Sequence, residues 1–203
     1  NVLERLGLPI KISFQSLYQE KKGNITPFLS VTGVKGTDKW IGIAPFATHT
    51  GKIYPIEKME QVIQSLTSYS NIRIFLFGGG KKEIEILTTW ANKYPSATCI
   101  AGKLKMDAEL ALMSHLDVMV SMDSGNMHLA SLVNTPVVSI WGATHPLAGF
   151  MGWGQSEQNA VQIDLSCRPC SVYGNKPCLR KDYACLHQIT PAIITQRILS
   201  VIE

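Results

Sequence analysis

Short apolar runs alternate with longer segments of helical period along most of the chain. The apolar runs predict six strands, at residues 41–45, 72–77, 98–101, 118–121, 136–141 and 161–164. These runs lack strict alternation of apolar and polar residues, which is typical of strands buried on both faces. The segments of helical period predict helices at residues 55–66, 82–94, 106–115, 125–133 and 191–202. This order predicts an α/β fold with a Rossmann-like parallel sheet and flanking helices.

Two segments depart from this alternation of predicted strands and helices. Glycine and proline break any period within residues 1–40, which we interpret as a linker from a preceding part of a longer protein. Residues 41–203 then form the domain proper. Within it, cysteine, proline and glycine replace the alternation of strands and helices from Ser166 onward, so residues 166–187 predict a cysteine-rich loop.

Composition and charge narrow the classes of partner. With 45% hydrophobic and 17% charged residues, the 203-residue chain can bury a sizeable core. Its 19 Lys and Arg exceed its 15 Asp and Glu by only four, which suits an anionic small ligand and argues against nucleic acid. Neither a signal-like start nor a membrane-length apolar run occurs, so we predict a cytoplasmic protein with at most peripheral membrane contact.

The most informative stretch is the junction between the fourth predicted strand and the helix that follows it. Asp123 or Ser124 can cap that helix, and Gly125 lacks the Cβ that would keep a ligand from the first-turn N–H groups. A helix start of this kind binds anions such as phosphate. His128 lies one turn further on the same face. The alternative interpretation is a simple helix cap followed by a buried core histidine.

Two further junctions carry polar residues that suit a nucleotide. Thr48 and Lys52 both lie in the loop that follows the first strand, and both could contact a diphosphate. The alternative is an ordinary surface lysine in a turn, which is common. Glu83 follows three glycines at residues 78–80 and could accept the hydroxyls of a ribose or simply stabilise its helix. The glycine spacing of a P-loop or of a dinucleotide-binding fold is absent from this sequence.

Five short motifs occur in order over about residues 41–200. They are Pro45-x-Ala47-Thr48 with Lys52-x-Tyr54-Pro55, Gly78-Gly79 with Glu83, Gly102-x-Leu104, Asp123-Ser124-Gly125-x-Met127-His128-Leu129-Ala130, and Trp141-Gly142-x-Thr144-x-Pro146. Together they resemble the C-terminal domain of the family 9 glycosyltransferases, the lipopolysaccharide heptosyltransferase type. The resemblance implies the donor-binding half of a two-domain GT-B fold, with residues 1–40 as the remnant of the N-terminal half.

The resemblance also implies a nucleotide-sugar site. It would place Lys52, Ser124, Gly125 and His128 around the diphosphate, Thr48 beside it, Asp123 near the donor sugar, Glu83 on the ribose and Leu104 against the base. It implies an inverting, metal-independent enzyme that transfers heptose or a similar sugar from ADP-heptose or a similar donor to a lipopolysaccharide core or other glycan. Phe46 and Asn126 replace the glycine and proline usual in that family, next to the donor sugar.

The same resemblance leaves part of the reaction outside this chain. In that family the N-terminal domain binds the acceptor and supplies the aspartate thought to act as general base, so no catalytic residue is assigned within these residues. We therefore predict donor binding without appreciable transfer by this chain alone. No metal is expected at the diphosphate, because no Asp-x-Asp pair occurs and N–H groups with Lys52 can balance the phosphate charge.

Four cysteines in the cysteine-rich loop, Cys167, Cys170, Cys178 and Cys185, are enough for a structural zinc site. Their spacing equally allows free or oxidisable thiols, whereas stable disulfides are disfavoured in a reducing compartment. Two alternatives to a glycosyltransferase also fit the sequence. One is a nucleotide-sugar epimerase with a GT-B-like fold, and the other is a non-catalytic nucleotide-binding module with the cysteines as a metal switch.

Overall fold

The computed structural model describes residues 2–8, 13–19 and 22–203, and a single parallel sheet forms its centre. The six strands are β1 (Lys39–Ala44), β2 (Ile72–Leu76), β3 (Ala97–Cys99), β4 (Val118–Met122), β5 (Val137–Ile140) and β6 (Ala160–Val161). They lie in the order β3-β2-β1-β4-β5-β6, and every neighbouring pair is parallel. The predicted Rossmann-like α/β fold class is confirmed.

The bounds of all six strands differ from the predicted ones by one to three residues at one or both ends, and β1 and β6 show the physical reasons. β1 begins at Lys39, earlier than predicted, and the N–H of Lys39 donates to the carbonyl of Asn71 at 2.8 Å. β6 contains only Ala160 and Val161 instead of extending to residue 164. The carbonyl of Ile163 bonds to the side chain of Arg168, so the chain leaves the sheet there and enters the cysteine-rich loop.

Helices connect the strands on both faces of the sheet. Their bounds are α1 (Val2–Arg5), α2 (Leu29–Thr32), α3 (Ile56–Leu66), α4 (Lys81–Lys93), α5 (Met106–Met113), α6 (Gly125–Leu132), α7 (Ala184–His187) and α8 (Pro191–Ile202). The five predicted helices are all present. The start of α8 was predictable from its residues. Thr190 caps the helix by accepting a hydrogen bond from the N–H of Ile193, and Pro191 occupies the first turn.

The core has two layers because strand residues point alternately to opposite faces. Ile41 and Ile43 pack with the buried faces of α3, α4 and α8. Trp40 and Ala44 point the other way and pack with residues of α5 and α6. The sheet is thus covered on both faces, as its apolar strands predict.

Residues that precede β1 also contact the second face. Tyr18 and Phe28 pack against that apolar layer, and the carbonyl of Gly23 lies 2.7 Å from Nε2 of His115. Lys35 Nζ lies 2.8 Å from an oxygen of Asp117. The division into residues 1–40 and 41–203 remains a prediction from the sequence. No helix in the described part of the chain is long and apolar enough to span a membrane.

The strand order determines where a ligand can enter. Connections from β1 lead to β2 and β3 on one side, whereas β4, β5 and β6 continue on the other side. The loops that leave β1 and β4 therefore diverge, and a crevice opens between them at the carboxyl edge.

Candidate functional site

A cavity of about 480 Å³ occupies this crevice. The structure places at its wall seven of the eight residues that the sequence predicts around a nucleotide sugar: Thr48, Lys52, Glu83, Asp123, Ser124, Gly125 and His128. They come from the loops after β1, β2 and β4 and from the start of α6. Residues far apart in the chain thus meet because parallel strands end at the same edge.

A buried ion pair joins the loops after β1 and β4. Nζ of Lys52 lies 2.8 Å from Oδ2 of Asp123, and the two side chains are 15% and 3% exposed. The same oxygen accepts a hydrogen bond from Oγ1 of Thr144 at 2.7 Å. Thr144 is fully buried. A carboxylate as buried as this one requires such partners, and they hold the Lys52 ammonium at the cavity wall.

The amino end of α6 faces the cavity without a side-chain cap. Ser124 precedes the helix in an extended conformation, and neither its side chain nor another described residue caps the helix. Its hydroxyl lies instead 3.2 Å from the hydroxyl of Ser121. A Cβ on Gly125 would meet nothing within 4 Å. The N–H groups of Gly125 and Asn126 are therefore accessible to an anion, whereas that of Met127 donates to the carbonyl of Ser124 at 3.1 Å. The interpretation of Asp123 and Ser124 as mere capping residues does not describe this helix start.

His128 and Glu83 border the same cavity. His128 is exposed, so it is not the buried core histidine of the alternative interpretation. Glu83 accepts a hydrogen bond from the N–H of Gly79 at 2.7 Å, through Oε2. This bond closes the glycine turn between β2 and α4 and directs the carboxylate to the cavity wall.

Leu104 is the one predicted residue that the structure sets apart. It lines a separate cavity of about 440 Å³, together with Tyr18 and Phe28. The reason lies in the strand order, because Leu104 follows β3, the strand at the edge of the sheet. Its predicted contact with the base remains a prediction.

The four cysteines of the cysteine-rich loop are free thiols, and Cys185 is buried in α7. Burial raises the pKa of the Cys185 thiol, against the opposing effect of the Arg168 guanidinium. Nowhere in residues 2–8, 13–19 and 22–203 do three His, Cys, Asp or Glu side chains form a group that could hold a metal ion. The thiols as arranged do not fit the tetrahedral zinc site that the sequence suggested, and that site remains unsupported by the geometry.

Arg168, in that loop, is a functional residue that sequence reasoning missed. Its guanidinium donates to the carbonyls of Gly142 at 2.5 Å, Thr144 at 2.9 Å and Trp141 at 3.4 Å, and also to that of Ile163. It therefore fixes the loop that carries Thr144, the partner of Asp123. The sequence pointed to Arg168 only indirectly. Thr144 lies in the Trp-Gly-x-Thr motif, but the sequence does not show which side chain bonds to the loop that carries it.

Two aromatic residues at the cavity wall were also missed. Phe150 follows β5 and Tyr173 lies in the cysteine-rich loop, with their ring centroids 5.8 Å apart. Nζ of Lys52 lies 6.0 Å from the centroid of Phe150. Neither residue belongs to a motif, so only the fold brings them to the site.

The chain matches the family model of glycosyltransferase family 9 (heptosyltransferase) over residues 7–179. Among curated relatives, lipopolysaccharide heptosyltransferase 3 of Escherichia coli is 29% identical over 61% of this chain and 36% of its own length. Lipooligosaccharide heptosyltransferase 2 of Campylobacter jejuni is 23% identical over 95% of this chain and 56% of its own length. The chain thus spans roughly one third to just over one half of these relatives.

Solved structures share the fold. A family 9 glycosyltransferase from Veillonella parvula superposes with a TM-score of 0.69 and 20% identity, over 100% of this chain and 58% of that one. The heptosyltransferase TibC, solved with ADP-D-β-D-heptose, gives a TM-score of 0.58 and 20% identity, over 86% and 47% of the two chains. The family match covers most of the sequence and includes every residue around the cavity, and so the chain belongs to glycosyltransferase family 9.

Proposed function

We propose that this chain binds the nucleotide-sugar donor of an inverting, metal-independent glycosyltransferase. The donor is ADP-heptose or a similar nucleotide sugar, and the acceptor is a lipopolysaccharide core or another glycan. The observation that carries the proposal is the uncapped amino end of α6, open beside the buried Lys52 and Asp123 pair. A diphosphate at that point gains free N–H donors, the positive end of the helix dipole and a nearby ammonium group.

Relatives support the choice of sugar and base. Two curated relatives are named as lipopolysaccharide or lipooligosaccharide heptosyltransferases. A solved neighbour holds ADP-D-β-D-heptose. Because this chain spans about half of such proteins, the complete transfer reaction and the acceptor are part of the proposal. Family membership favours a transferase over the epimerase and over the non-catalytic module. The cytoplasmic location remains a prediction.

In the proposed reaction, the residues of this chain bind and stabilise the leaving diphosphate. The acceptor hydroxyl attacks C1 of the donor sugar from the face opposite the diphosphate and loses its proton to a base. The bond from C1 to the β-phosphate oxygen breaks, and its electron pair stays on the diphosphate. The N–H groups of α6 and the Lys52 ammonium stabilise the negative charge that develops there. We place the base outside this chain, in the part that binds the acceptor.

Calorimetry with ADP-heptose, a GDP-sugar and a UDP-sugar tests the proposal. We expect the ADP-sugar to bind, and Lys52→Ala to weaken its binding by about 1–3 kcal/mol, the range for a charge-assisted hydrogen bond. Ser124→Pro should also weaken binding, because proline cannot adopt the φ of −151° that Ser124 has before α6.

Arg197→Ala is the matched control, since Arg197 is an exposed cation on α8 and lies outside the walls of both cavities. It should bind all three nucleotide sugars as the unaltered chain does. Equal affinities in the unaltered chain, Lys52→Ala and Ser124→Pro would remove the α6 site. Melting curves for each variant separate a loss of binding from a loss of folded protein, because Lys52→Ala also leaves Asp123 without its cationic partner.

A further inference from the structure

An aromatic pair forms one end of the cavity. Phe150 and Tyr173 come from different loops, and their rings are tilted at 58° with centroids 5.8 Å apart. Tyr173 is 59% exposed although it borders a concave site. Aromatic side chains of this size usually bury most of their surface, so an exposed ring at a cavity wall suits contact with a ligand.

The strand order gives the cavity a direction. Glu83 follows β2, Lys52 follows β1, Ser124 follows β4, Phe150 follows β5 and Tyr173 lies beyond β6. Since the sheet order is β2-β1-β4-β5 over this part, Glu83, Lys52 and Ser124 succeed one another along its carboxyl edge in that order. Tyr173 does not lie further along this edge, because the backbone of the next residue, Gly174, lies against the Lys52 side chain. A diphosphate at α6 therefore has Glu83 towards β2, whereas the aromatic pair lies beside Lys52.

This arrangement fits the two ends of a nucleotide sugar. A nucleotide sugar carries its nucleoside on one side of the diphosphate and its sugar on the other. If the Glu83 carboxylate accepts the ribose hydroxyls, the sugar extends towards Phe150 and Tyr173. The C–H groups of a sugar ring are slightly positive and apolar, and they pack well on the negative face of an aromatic ring.

We propose that Phe150 and Tyr173 form the subsite for the donor sugar, with the face of Tyr173 packed on the C–H groups of a heptose or hexose ring. This inference rests on the proposed function of the site. It assigns the sugar to the aromatic pair beside Lys52 and the nucleoside to the β2 end of the cavity. Nζ of Lys52 lies 6.0 Å from the centroid of the Phe150 ring, so the proposed diphosphate and sugar positions adjoin.

The test compares ADP with ADP-heptose and ADP-glucose in calorimetry, because ADP lacks the sugar. We expect Tyr173→Ala to weaken binding of both ADP-sugars by about three- to tenfold, as for loss of one aromatic contact. Binding of ADP should stay within about twofold. Tyr173→Phe should restore the affinity for the ADP-sugars, since it keeps the ring. Tyr69→Ala is the control, because Tyr69 is 41% exposed and precedes β2 at the opposite edge of the sheet.

The outcomes separate this inference from the proposed function. Equal losses for ADP and the ADP-sugars in Tyr173→Ala would place the base at the aromatic pair and overturn the inference. An unchanged affinity for all three ligands would overturn it too. If the unaltered chain binds neither ADP nor an ADP-sugar, the proposed function itself fails. Melting curves confirm that each variant is folded.

Discussion

The carboxylate of Asp123 joins the cation of the candidate site to the protein interior. Lys52 and Thr144 both bond to the same oxygen, and the side chain of Asp123 is 3% exposed. An arriving diphosphate competes with Asp123 for the Lys52 ammonium, so donor binding has to weaken or share an existing ion pair. The ion pair keeps Lys52 in place before the ligand arrives, and thereby reduces the ordering cost of binding.

Gly125 allows the anion site to be tested without disturbing the fold. A Cβ at Gly125 would meet nothing within 4 Å, so Gly125→Val should leave the melting temperature nearly unchanged. The valine side chain would occupy the space above the first-turn N–H groups of α6. We therefore expect ADP affinity to fall by at least about tenfold, or 1.4 kcal/mol. Calorimetry and thermal unfolding measure the two effects.

Gly36→Val is the matched control, because a Cβ at Gly36 also meets nothing within 4 Å and Gly36 lies outside the cavity wall. It should retain full affinity for ADP. Binding of ADP by Gly125→Val at the unaltered affinity would show that the diphosphate does not contact this turn.

Among the elements, those with a strong period were predictable and those held by tertiary contacts were not. α3 was predicted because Met59, Val62, Ile63 and Leu66 recur at helical spacing and are all buried. α7 was missed, since its four residues are too few for a period to be recognised. The predicted β6 was too long because sequence gives no sign that Arg168 captures the carbonyl of Ile163.

α5 contains a carboxyl group whose ionisation opposes folding. Burial raises the pKa of Glu109, so the folded chain holds this proton more tightly than the unfolded chain does. Stability from this group is complete below the unfolded pKa and is lost as the pH rises through the folded one. We expect Glu109→Gln to be more stable than the unaltered chain at pH 7, and this advantage to shrink towards pH 4.

Urea unfolding at the two pH values measures this difference. Glu85→Gln is the control, because Glu85 is exposed on α4 and its replacement should leave the free energy of unfolding nearly unchanged. A Glu109→Gln variant that is less stable than the unaltered chain at pH 7 would contradict the assigned effect of burial.

For the whole molecule, the sequence identified most members of the site but not their arrangement. Seven residues were predicted because they follow strands, and parallel strands end at one edge. Their order along that edge depends on the strand order, which the sequence does not state. Thr144, Phe150 and Tyr173 reach the site through loops without a period, and Leu104 lies in a separate cavity because β3 is the edge strand.

Arg168 connects the cysteine-rich loop to the candidate site, because its planar guanidinium donates hydrogen bonds to several carbonyls at once. Arg168→Lys keeps the charge but loses this geometry, so we expect the free energy of unfolding to fall by about 1.5–3 kcal/mol. Urea unfolding checks this. Arg180→Lys is the control in the same loop, since Arg180 is 48% exposed and its pair with Asp182 is at the surface. Its effect should stay below about 1 kcal/mol, and equal effects of the two variants would contradict the role of Arg168.

The position of Arg168 late in the sequence has a consequence for biosynthesis. When a growing polypeptide has emerged from the ribosome only as far as residue 165, it already contains Lys52, Asp123 and Thr144. Arg168 has not been added at that stage, so the carbonyls of Gly142 and Thr144 lack the guanidinium that bonds to them in the folded chain. The newly made protein therefore acquires a firmly assembled pocket only after the cysteine-rich loop has emerged and docked, although nearly every pocket residue was synthesised earlier.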